Sequence, residues 1–340
     1  MPAGADAWFL GNATMSVLRV TAKDCGAGFF ALMIYAMNQI IWADANGYAS
    51  YIHFGKRCRD GRPNRYYDEA RGPNMWDYYF SPVSHGVVST PVDLQLTGKQ
   101  LFHLHHTSTA SVQTYPHGVH RHLKLPRWRY HEPWHRMMRE RASTLLRQRV
   151  HLHPSVLETV RSFYRERVLA LGHERPILGV HLRGTDKLRN IGGRIVQPKE
   201  YSALIEHYLE RRPQALLFVA TDSPKFLKAL NETYVGRIVV YNALRSERNA
   251  FADTLLDDNY KKGEDALVDA LLLSCANVLL KPASALSEFA VYWNTGLHNH
   301  TYEMQYEEGL PTPVGFLNRH LASGRDRLRG FDRCAEVLRE

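Results

Sequence analysis

The 340-residue chain has no stretch of about 18 uninterrupted apolar residues, and its N-terminus lacks a basic segment followed by a long apolar one. Stable membrane insertion and a cleavable leader are therefore not expected in the sequence as it stands. Its four cysteines, Cys25, Cys58, Cys275 and Cys334, lie far apart and form no C-x-x-C pair. That spacing argues against a zinc ribbon and against a dense disulfide framework, so free thiols are the expectation. A cytoplasmic location follows from these absences, with a Golgi or ER lumen the alternative if an anchor precedes the sequence. No run of five or six consecutive Lys or Arg occurs, and no nucleic-acid-binding module is recognisable. Nucleic acid is thus not an expected partner, although the net charge is +9 and the pI about 9.3.

What is present is an ordinary globular composition. Hydrophobic residues make up 44% and charged residues 23%, with a mean hydropathy of −0.37. The length suggests two domains. A spread positive charge favours a small anionic partner such as a nucleotide diphosphate.

The most informative stretch is ILGVHLRGTDK, residues 177–187. Its first four residues form a short apolar run of the kind that makes a buried parallel strand. His181, Arg183, Thr185, Asp186 and Lys187 follow, where an open α/β sheet places its ligands. Arg183 offers a planar fork and Lys187 a point charge, both suited to a diphosphate. Strand-like runs at 177–180, 216–220, 237–241 and 277–280 alternate with helical patterns at 198–212, 224–231 and 263–275, which predicts a parallel sheet. In the first half, a strand at 16–20 is followed by Gly26 and Gly28 and a helix at 29–48, the opening of a mononucleotide-binding unit. A second strand is expected at 50–54, and a helix at 154–171 carries the chain into the second half. Between His103 and His122, histidines alternate at His103/His105 and His120/His122. On a strand they would share a face and could bind a metal, but no acid or cysteine accompanies them, so solvent-facing or acceptor-lining roles are expected.

The 177–187 run resembles the donor-site motif of the fucosyltransferase superfamily that includes core α-1,6-fucosyltransferases, rhizobial Nod-factor fucosyltransferases and protein O-fucosyltransferases. The shared pattern is His-x-Arg after a strand, extended in the core enzymes to Thr-Asp-Lys as here. Three further stretches are similar to the core enzymes: WDYYFSPVS at 76–84, ATDS at 220–223, and Asp269 followed fifteen residues later by Ser284. The resemblance implies a GT-B architecture, two Rossmann-like domains facing across a cleft. It divides the chain into an acceptor-side domain at 1–170, a nucleotide-sugar domain at 171–310 and a helical tail at 311–340.

The implied activity is inverting, metal-independent transfer of a sugar, fucose from GDP-fucose being the family's usual one, onto a glycan hydroxyl; another sugar-nucleotide donor or an inactive nucleotide-sugar-binding protein is the alternative. No cofactor beyond the donor substrate is expected. A metal-free site must balance the leaving diphosphate with fixed cations and N–H groups. Arg183 is the candidate for that role, with Lys187 second and the Gly26–Gly28 turn and Ser284 assisting. His181 and Asp269 are expected at the guanine by resemblance, and Asp222 in the donor site. Two positions depart from the core-enzyme pattern: Gly184 replaces a second arginine, and Ile191 stands where a glutamate would be the base. The acceptor's proton then needs another carboxylate, with Asp77, Asp186 and Asp24 available and Asp77 the first choice.

Overall fold

The computed structural model describes residues 16–22, 24–82, 93–106, 108, 110–114, 130–171, 175–184, 195–247, 253, 256–306 and 309–322. Asp186 and Lys187 lie outside these residues, as do Ile191, His120 and His122.

Two parallel sheets organise the α/β chain. The first contains β1 (Val17–Val20), β2 (Ala49–Ile52) and β3 (Asp93–Leu94) in the order β2-β1-β3. Between β1 and β2 runs α1 (Phe29–Ala45), whose Leu32, Met33, Ala36, Met37 and Ile40 are buried at helical spacing. The short α2 (Trp76–Tyr79) follows β2, and α3 (Gly98–His106) follows β3. Two longer helices, α4 (Glu132–Arg149) and α5 (Pro154–Arg167), lead to the second sheet.

That sheet has five parallel strands: β4 (Ile177–Leu182), β5 (Leu216–Thr221), β6 (Ile238–Val239), β7 (Val278–Lys281) and β8 (Thr301–Glu303), in the order β6-β5-β4-β7-β8. Every residue of β4 and β5 is buried, because helices cover both faces. The helices are α6 (Pro198–Arg211), α7 (Pro224–Thr233), α8 (Asn259–Leu273) and α9 (Ala285–Trp293). The chain runs outward from β4 to β6, returns to β7 beside β4, and continues outward to β8. The order therefore reverses between β4 and β7, the switch point where doubly wound sheets open a crevice at their strand ends.

One apolar core runs from the first sheet through α1 and α5 to α8, α9 and one face of the second sheet; a second core fills the other face. Phe30 meets Phe289 with ring centroids 4.8 Å apart, and Tyr79 stacks on Tyr260 at 5.4 Å. A methyl group on Gly263 would sit 2.3 Å from the Tyr79 oxygen, so only glycine lets α8 approach α2 so closely. The final described helix, α10 (Pro313–Ala322), buries Phe316 and Leu317 and packs on α6 of the second half, where Arg212 donates to the Leu321 carbonyl. Residues 323–340 of the expected tail lie outside the described residues.

Three local expectations change. β4 extends two residues past Val180, so His181 belongs to the strand instead of following it. His103 and His105 lie on the helix α3, not on a strand, which removes their shared face; His105 is buried between Tyr35 and Asn38. The described cysteines are not free thiols: Cys25 is bonded to Cys58, and Cys275 is disulfide-bonded as well. Cys25 and Cys58 are 33 residues apart in sequence, but they sit after neighbouring strands β1 and β2, which brings their Cα atoms to 5.5 Å.

Candidate active site

The site is built at the switch point of the second sheet. Arg183 follows β4, and Ser284 follows β7 as the N-cap residue of α9. The Arg183 Nη1 donates to Ser284 Oγ at 3.2 Å, joining two residues 101 positions apart across the crevice. That bond uses the serine hydroxyl, which makes no capping bond to its own helix. The first N–H groups of α9 thus open beside a guanidinium, a pairing of fixed cation and helix N-terminus that suits an anion.

Asp222 enters from the third direction, at the end of β5. Its Oδ1 accepts from the Gly184 N–H at 2.8 Å, and its carbonyl accepts from the Ser246 N–H at 3.1 Å. Asp222 therefore fastens the turn that carries Arg183. The turn leaves no room for a side chain at residue 184, since an added Cβ would lie 2.8 Å from the Ser223 Cβ and 3.1 Å from the Phe226 ring. Glycine at 184 therefore lets the β5–α7 turn lie directly against the chain after β4. Ser223 in turn caps α7 by accepting from the Phe226 N–H at 3.3 Å.

Asp269 lies on α8, buried, with no hydrogen-bond partner for its Oδ1. Burial pushes its carboxyl well above the usual range, and the nearby Arg245 pulls it only partly back. Arg245 belongs to the 240–247 loop whose Ser246 is tied to Asp222, so Asp269 is linked to the cluster. Its neighbour Asp265 is satisfied by the Leu244 N–H at 2.7 Å and by Lys261. A buried carboxyl group with an unused oxygen is costly unless something fills the role of donor. His181 is buried on β4, and its carbonyl accepts from the Tyr201 hydroxyl at 3.0 Å.

The first half contributes differently. At the glycine turn the Gly26 N–H is bonded to Asp24 at 2.7 Å and the Phe29 N–H to the Tyr66 hydroxyl at 2.8 Å. Those two donors are already engaged by the protein, while Gly28 begins α1 in an extended conformation. Asp77 stands in the first turn of α2, exposed, and accepts from Asn74 Nδ2 at 2.9 Å. Partial burial raises its pKa, with the Asn74 bond opposing. Its hydrogen bonding stays within the first half.

Three predicted residues, Arg183, Asp222 and Ser284, are thus joined at the carboxyl end of the second sheet, while Asp269 lies on α8 near Arg245. Sequence reasoning missed the support beneath them. Lys281, Glu288 and Glu303 form a buried cluster with Arg139 of α4, including contacts of 2.7 Å from Lys281 to Glu288 and 2.6 Å from Arg139 to Glu303. Glu288 stands in the first turn of α9 and belongs to this cluster. The sequence signal was a lysine, Lys281, ending an apolar strand three residues before Ser284. Among the described residues no group of three or more His, Cys, Asp or Glu is placed to hold a metal ion, and no helix is long and apolar enough to cross a membrane.

No protein-family model matches the chain, and no curated protein does. Among solved structures, a mutant of Arabidopsis thaliana FUT1 in complex with GDP is similar at a TM-score of 0.43 and 11% identity, over 86% of this chain and 71% of that one.

Proposed function

We propose that this chain is a glycosyltransferase of GT-B type that moves a sugar, fucose by its motifs, from a GDP donor to a glycan hydroxyl with inversion and without a metal. The observation that carries the proposal is the Arg183–Ser284 bond across the β4/β7 switch point, with Asp222 holding the arginine's turn. Arg183 and the N-terminus of α9 would receive the diphosphate, and their fixed charge would stabilise the leaving group as the glycosidic bond breaks. The unused oxygen of Asp269 fits the donor edge of a guanine. His181 supports the same wall. Lys187 is the second candidate cation for the diphosphate, with Asp186 beside it in the motif. Asp77, its carboxyl raised by partial burial, is the proposed base that takes the acceptor proton. The Cys25–Cys58 bond favours an oxidising compartment, the lumenal alternative, over the cytoplasm.

The test is calorimetric titration with GDP, UDP and their sugar conjugates, with and without EDTA. GDP should bind in EDTA, and Arg183→Ala should weaken it at least a hundredfold, about 2.7 kcal/mol. A preference for UDP would move the donor to another sugar nucleotide, and absence of nucleotide binding would overturn the transferase reading.

A further inference from the structure

The first sheet carries a cavity of about 350 Å³ that none of the motif residues lines. It opens at the carboxyl ends of all three strands: Arg19, Thr21 and Ala22 come from β1 and the residues after it, His53 to Arg59 follow β2, and Gln95 follows β3. The strand order β2-β1-β3 reverses beside β1, so the cavity occupies in this sheet the place that the Arg183 site occupies in the other.

All the charged residues of its described lining are basic. Arg19, Lys56, Arg57 and Arg59 face it with His53, and among the described residues no Asp or Glu lines it. Two of these guanidinium groups are oriented by carbonyls: Arg57 donates to Gly61 at 2.8 Å and Arg59 to Leu96. Carbonyl partners fix direction without cancelling charge. Lys56 pairs with Glu69 at 2.8 Å, but both are largely exposed, so that pair screens little. The loop bearing the cations is ordered by antiparallel bonds, Cys58 N–H to the Arg62 carbonyl and Asn64 N–H to the Lys56 carbonyl, and is stapled to the glycine turn by Cys25–Cys58. Thr21, also in the lining, has a hydroxyl with no hydrogen-bond partner.

A rigid concave site of one charge sign selects a ligand of the other. The geometry points to this cavity as the acceptor subsite, and to an acceptor glycan that carries a negative group, sulfate or carboxylate, on the sugar held there. The assignment rests on the transferase reading for the word acceptor; anion binding itself does not.

The experiment measures binding of matched oligosaccharides to the full chain by calorimetry without any donor: a sulfated galactan oligomer, its desulfated counterpart, and an oligogalacturonide. At least one charged oligomer should bind tenfold or more tighter than the neutral one, and the sulfated and carboxylated arms tell which group is preferred. Arg57→Gln/Arg59→Gln should bring charged and neutral ligands within threefold while GDP affinity stays within twofold of wild type. Inorganic sulfate should compete on the wild type, which needs no variant. Equal binding of charged and neutral oligomers overturns the proposal. So does loss of GDP binding in the double variant, which would make the cavity a diphosphate site, or equal competition by a random oligonucleotide of the same charge. If wild type binds the charged glycan but no nucleotide, the transferase reading fails and the anion site stands.

Discussion

Asp269 shows what one buried atom implies. Burial pushes its carboxyl up, and its Oδ1 has no donor among the described residues. A guanine presents N–H donors, which favour the ionised form. Binding of GDP should then release a proton, so affinity should rise with pH until the free protein's Asp269 is itself ionised. Calorimetry in buffers of different ionisation enthalpy, at pH values above the ordinary Asp value near 3.9, reads the proton directly. Asp269→Asn should abolish the release and weaken GDP roughly tenfold, about 1.4 kcal/mol. Unchanged proton release in the variant would remove Asp269 from the base pocket. Gly184 makes the complementary point. Its identity is dictated by the Ser223 and Phe226 atoms opposite, a steric cause that lies 39 and 42 residues away in the sequence.

At the scale of elements, the N-terminus of α9 is positioned by charge from below. Arg139 on α4 donates to Glu288 at 2.6 Å and to Glu303 at 2.6 Å, and Lys281 at the end of β7 reaches both acids. Burial alone would raise the Glu288 carboxyl, but Arg139 and Lys281 more than offset this and hold it well below the ordinary range. Two cations face two carboxyls, with burial pushing Glu303 up while Glu288 is held down, and removing Glu288 strands a buried positive charge. Glu288→Gln should therefore cost about 3–5 kcal/mol of stability, measured by urea unfolding near neutral pH. Because the folded value is depressed, the Glu288 contribution is present above the ordinary glutamate value and is lost as pH falls below about 4. The difference between wild type and variant should shrink over that range. A difference that stays constant with pH would mean that packing, not charge, sets the cost.

At the scale of the molecule, the two halves share one core, and the first sheet is tied internally by Cys25–Cys58. Closing a loop of this length restricts the unfolded chain, so Cys25→Ser/Cys58→Ser should lose about 3 kcal/mol, read by chemical denaturation. Charged-glycan binding should weaken as well, because Cys58 belongs to the loop that carries Arg57 and Arg59. An unaltered unfolding midpoint would mean that packing alone orders this loop.

How much of this was legible in the sequence depends on how local its cause is. Strands β4, β5 and β7 were readable because strands buried on both faces are continuous apolar runs, and α6 and α7 because proline and a polar cap announce their starts. The three-residue β8 lacks enough length to stand out. Arg183, Asp222 and Ser284 were legible as motif residues at strand ends. That the arginine donates to the serine while the aspartate holds the glycine N–H depends on strand order, which no local pattern states. The same holds for the cysteine pair, the buried cluster of Arg139, Lys281, Glu288 and Glu303, and the basic cavity. By itself the sequence determined an alternating α/β chain with a candidate diphosphate-binding arginine, because hydrophobic period and turn chemistry act over neighbouring residues. Only the tertiary structure decided which charges are buried together and which face an open cavity, because burial and pairing between residues 33 to 164 positions apart arise when sheets and helices pack.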